Sequence, residues 1–117
     1  MRLLNKTKES VVAEDPMVMD SFFSRLRGLM FRMKFPKAML FVFPNTSSQR
    51  NSIHSFFVFF EFDAVYLDDQ KRVIDIYSRV KPFTPYIEPK KPTKYLLELE
   101  AGSVSKLGIS LGDEIEF

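Results

Sequence analysis

"HSFFVFFEFDAVYLD", His54 to Asp68, with the "DQKR" and "VIDIYSRV" that follow it, decides the fold class. Five phenylalanines fall within the seven residues Phe56 to Phe62. From Val73 onward apolar and polar side chains alternate, the period of a strand with one buried face, and the acidic turn before it makes a hairpin. Read as extended, His54 to Phe60 puts His54, Phe56, Val58 and Phe60 on one face and Ser55, Phe57 and Phe59 on the other. Both faces are largely apolar. The segment is therefore expected to be a strand covered on both sides or the carrier of an exposed aromatic patch.

The flanking sequence is punctuated into many short elements. "RLLNKT" and "SVVAEDPMVMD" are β-rich, and "AMLFVF" is a short apolar run closed by Pro44 and the loop "NTSSQRN". "KYLLELEAG" reads as another strand; "SVSKLG" leaves room for one helical turn stopped by Gly108, and "SLGDEIEF" for a turn and a last strand. In "DSFFSRLRGLMFRM", Phe22, Phe23, Leu26, Leu29 and Met30 fall at helical spacing behind Asp20 or Ser21 as cap, predicting about two or three turns. Four of the seven prolines lie between Pro82 and Pro92 and mark a surface crossing. The expected architecture is α+β and mainly β: a small barrel or sandwich with one or two short helices, residues 1–117 forming one domain.

Composition narrows the function classes. The 117 residues include no cysteine, which excludes disulfide frameworks, thiol nucleophiles and cysteine zinc sites. No apolar h-region follows "MRLLNKTKES" and no apolar run approaches the roughly 20 residues that cross a bilayer, so a cytoplasmic location without a membrane partner is expected. Net charge is only +2, but residues 21–50 hold Arg25, Arg27, Arg32, Lys34, Lys37 and Arg50 and no acid. Such a segment attracts anions or acidic partners. Nucleic acid is not the expected partner, because the sequence pI of about 8.9 is moderate and no recognition motif is present.

His54 is the only histidine. In an extended strand Ser55 points away from it, so the two do not form a catalytic pair. Asp63, Asp68 and Asp69 show no ligand spacing with His54, and neither a metal nor a cofactor is expected. Asp68 and Asp69 read as turn residues, whereas Asp63 interrupts an apolar run and needs hydrogen bonds or a positive partner. Arg25, with its planar fork, is the expected partner, tying helix to sheet.

The order of "DSFFSRLRGLMFR", "AMLFVFP", "SIHSFFVFFEFDAVYLDD", "KYLLELEAG" and "LGISLGDEIEF" resembles uncharacterised protein family 0127, also called domain of unknown function 192. Ser24, Arg25, Gly28, Leu29 and Met30 match its helix motif; Ile53, His54, Phe56, Phe57, Phe60, Asp63, Leu67 and Asp68 match its aromatic motif. Ser55 stands where that motif has threonine, Phe59 where it has arginine and Glu61 where it has proline. If the family used that arginine to hold an anion, Phe59 removes it. The resemblance implies a compact β-rich domain and no established activity. Members with secretion signals are familiar, but their extracellular roles are not carried over to this chain.

The expected function is that of a non-enzymatic binding module for a small molecule or protein, using the aromatic segment and the basic helix. Arg25, Arg32, His54, Ser55, Phe57, Phe59 and Asp63 are the candidate binding residues. The alternative is an enzyme of a small metabolite working through His54 and Asp63, which requires both within reach of one substrate.

Overall fold

In the computed structural model, which describes residues 1–44 and 51–117 apart from the side chains of Phe22, Phe23 and Leu26, strand β5 (Phe62–Leu67) is buried at all six positions. It belongs to a five-stranded sheet ordered β3 (Met17–Met19), β4 (Met39–Val42), β7 (Tyr95–Glu100), β5, β6 (Val73–Val80). β3 and β4 are parallel and the other neighbours antiparallel. A parallel pair needs a crossover, and here it carries helix α1 (Phe22–Arg27). A second sheet, ordered β2 (Ser10–Glu14), β1 (Arg2–Asn5), β8 (Ile115–Glu116), is reached from β7 through helix α2 (Ser103–Leu107).

Period-2 alternation in the central strands explains the layers. Leu40, Val65, Leu67, Leu97 and Leu99 share one face and pack with Leu3 and Ile115 of the second sheet. Met39, Phe41, Phe62, Tyr66 and Leu96 share the opposite face and pack with Leu29, Val58 and Ile87 from the connections. The large sheet is thus apolar on both sides because both sides are covered. The two sheets remain open at their edges, so the mainly β expectation holds as packed sheets and not as a closed barrel.

Three local expectations are corrected. His54 to Phe60 is not a strand: Val58 N–H donates to Ser55 O at 3.1 Å, Phe57 has φ of +60°, and burial recurs at Ser55 and Val58. The Ser55 hydroxyl competes with strand formation by donating to Lys81 O and accepting from Thr84 N–H, both at 2.6 Å. The strand buried on both sides begins later, at Phe62. Helix α1 has only six residues, capped by Ser21 accepting from Ser24 N–H and stopped at Gly28. Its expected stripe falls partly on Phe22, Phe23 and Leu26, whose side chains lie outside the described residues, as does Arg50 of the basic segment.

The third correction concerns Asp63. Arg25 donates to the carbonyls of Asp20 at 2.8 Å and Val42 at 3.3 Å, not to Asp63. Asp63 is fully enclosed, and its two oxygens accept from backbone N–H groups of Arg79 at 2.8 Å and Val104 at 2.9 Å. Pairing of β5 with β6 slips between Phe62 and Ala64, leaving Ser78 and Arg79 as the bulge that one oxygen holds. The other oxygen reaches the second residue of α2, whose N-cap is Gly102 and has no capping side chain. Asp63 therefore caps that helix from a distant strand.

Asp113 plays a comparable part where the chain ends meet. Burial alone would raise its pKa, but hydrogen bonds from Asn5 Nδ2, Ser110 N–H and Lys8 Nζ more than offset this and hold it below the ordinary value.

Candidate functional site

A half-open pocket of about 250 Å³ lies between the α1 crossover and the covered face of the large sheet. Its apolar wall comes from Leu29 and Met30 after α1, Phe41 and Phe43 around β4, Val58, and Phe62 of β5. Gly28 has φ of +44°, and a Cβ there would stand 3.1 Å from the Phe41 ring. The missing side chain lets the crossover close down on the sheet beside the pocket. Arg25, Arg27, Ser52 and His54 contribute polar groups, and Arg27 and His54 are exposed. His54 Nδ1 accepts from Phe56 N–H at 3.2 Å, leaving Nε2 as the other polar atom of the ring.

Glu98 also lines this pocket, and it was not among the residues the sequence singled out. It sits on central strand β7, opposite Met39 on one side and Ala64 on the other. Its residue is 5% exposed, and Oε1 has no hydrogen-bond partner among the described residues. Burial pushes its pKa up to about 8, because the low-dielectric surroundings penalise the charged form. Glu98 is therefore mainly a neutral acid at pH 7, with an O–H to donate. Tyr66 hydroxyl is likewise raised, first by burial and then by Glu98, and donates to Ile87 O at 3.4 Å.

The candidate residues separate into three groups. Arg25 and His54 line the pocket. Ser55 and Asp63 are completely buried and occupied by backbone partners, and Arg32 Nε donates to Gly28 O at 3.2 Å. Phe57 and Phe59 lie outside the pocket lining, 47% and 45% exposed. The enclosure of Asp63 also separates it from His54, so these two do not form the shared acid–base site of the enzyme alternative. The carboxyl group that does share a pocket with His54 belongs to Glu98. Among the described residues no cluster of three or more metal-ligating side chains occurs.

The profile of the DUF192 family, uncharacterized ACR, matches residues 4–117. The chain belongs to the DUF192 family. A UPF0127 protein of Thermococcus sibiricus is 36% identical over 115 residues, 98% of this chain and 73% of that protein. Among solved structures, a protein of unknown function from Novosphingobium aromaticivorans superposes with TM-score 0.85 at 19% identity, covering 99% of this chain and 82% of that one. Another, from Sinorhizobium meliloti and named provisionally as a transcription regulator, gives TM-score 0.83 at 26% identity, covering 98% and 89%. The family is thereby shown, and the two-sheet fold of this DUF192 chain is shared by solved proteins.

Proposed function

We propose that the protein is a binding module for a small amphipathic molecule held in the Glu98 pocket. The observation that carries this reading is a neutral carboxyl group on a central strand with an unpartnered oxygen at the pocket. An unsatisfied buried polar atom costs roughly 1 to 3 kcal/mol, so a ligand that supplies its missing hydrogen bond recovers stability on binding. The apolar wall suits a short hydrocarbon body, and the pocket is somewhat smaller than the roughly 300 Å³ at which drug-sized sites begin. Arg27 and His54 suit an anionic group at the exposed end.

Titration of isotope-labelled protein with 6-hydroxyhexanoate, hexanoate, hexanol and hexylamine tests this by chemical-shift perturbation. The hydroxy acid carries a carboxylate for Arg27 and a hydroxyl for Glu98 and is therefore expected to bind more tightly than hexanoate. Shifts are expected at Leu29, Phe43, Ile53 and Glu98, with hexanoate bound more tightly than hexylamine. Arg27→Ala is expected to weaken hexanoate up to about fivefold and to leave hexanol unchanged, the scale of an exposed ion pair. Shifts confined to residues outside the pocket, or a preference for the amine, would overturn the reading.

A further inference from the structure

We infer that a second surface, built from Phe31, Phe57, Phe59 and Phe83, docks on an anionic lipid membrane. This surface is independent of the pocket, since none of the four rings lines it. Three separate connections bring the rings together. Phe31 stacks on Phe57 with centroids 5.1 Å apart, and Phe83 meets Phe57 at 6.1 Å and Phe59 at 6.0 Å edge to face. The connections are tied by Phe31 N–H donating to Phe57 O at 2.9 Å and Phe83 N–H donating to Ser55 O at 2.8 Å.

The rings are nevertheless 45 to 61% exposed. Together they present on the order of 400 Å² of apolar surface, within the roughly 300 to 600 Å² range of a monomer's largest patch, which is often functional. Phe31, Phe57 and Phe83 have φ of +63°, +60° and +59°, a conformation unfavourable for bulky side chains. These aromatic rings thus face solvent from a backbone that other residues would adopt more easily.

Charge selects the occupant. The segments 31–35, 54–60 and 81–86 that carry the rings contain Arg32, Lys34 and Lys81 and no acid, and the carboxylate of Glu61, just beyond Phe60, is paired with Arg79 at 3.6 Å. A second copy of the chain would set this basic rim against itself in a two-fold interface. None of the four rings lines the Glu98 pocket or the depression near Tyr77 and Tyr86, so they form a convex apolar patch beside both. Apolar rings bordered by cations match the interface of a bilayer bearing anionic headgroups, and such contact needs no spanning segment.

Flotation with vesicles of phosphatidylcholine alone, and of equimolar phosphatidylcholine and phosphatidylglycerol, tests the inference. Binding to the mixed vesicles is expected to be roughly tenfold tighter or more and to weaken with salt. Phe57→Asn with Phe83→Asn should abolish flotation without lowering the melting temperature, because asparagine tolerates a left-handed backbone. Glu98→Gln should float as the unaltered protein does, which separates this surface from the pocket. Absence of flotation overturns the inference: concentration-dependent dimers in sedimentation velocity would assign the patch to self-association, and a persistent monomer would leave it to a protein partner. Equal flotation of the double variant would also overturn it.

Discussion

Asp63→Ala is expected to lower stability by about 3 kcal/mol, because it strips acceptors from two N–H groups at once. Thermal unfolding should show this as a fall of roughly 10 °C for a domain of this size. Asp63→Asn should not rescue the loss, since its amide offers one acceptor oxygen and turns N–H donors toward the other backbone N–H. Amide exchange should accelerate selectively in α2 and at the Arg79 bulge, the two places that Asp63 joins. A loss below about 1 kcal/mol would mean that water replaces both hydrogen bonds readily.

The second large effect is a pH dependence set by Glu98. Its folded pKa is raised to about 8 from the 4.5 of an ordinary solvated glutamate, so the folded protein keeps a proton that the unfolded chain releases. Folding takes up that proton between these values, and stability must fall as pH rises through the window. Between pH 5 and pH 8 the expected loss is about 3 kcal/mol, as each unit of displacement corresponds to about 1.4 kcal/mol. Glu98→Gln carries no charge at any pH and should remove most of this slope. Urea unfolding at the two pH values measures it in both proteins. An unchanged slope in Glu98→Gln would assign the dependence to other groups.

Much of the fold was legible because its strands obey simple alternation or continuous burial. Val73 to Val80 became a hairpin partner, Ala38 to Phe43 contained a buried strand, and Gly108 stopped a helical turn. The aromatic segment is apolar on both faces of an extended reading and yet turns, because hydrophobicity alone does not dictate extension. Ser55 binds the 81–84 connection through its hydroxyl, and that local chemistry turns the chain before β5 begins.

Glu98 escaped notice for a related reason. Leu97, Glu98, Leu99 and Glu100 alternate like a strand with one wet face, and Glu100 is indeed exposed. Only the crossover and the connection from Ile53 to Val58, which cover that face at Glu98, turn a surface position into a buried one. The logic applied to Asp63, a carboxyl group between apolar neighbours, was the available signal. The planar fork of Arg25 suits a carboxylate such as Asp63, whereas the backbone N–H groups that satisfy Asp63 arise from a bulge and a helix start that no local sequence pattern marks. Phe31 and Phe83 were hidden in a presumed helix and a proline-rich crossing, so their meeting with Phe57 could not be read locally.

The pocket's chemistry depends on the proton that Glu98 holds. Carbon-detected NMR of side-chain carboxyl groups, with Glu98→Gln to assign the resonance, follows that proton directly. The expected midpoint is near pH 8, with the acid form dominant at pH 7. A midpoint near 4.5 would show a solvated, charged carboxylate and contradict the account.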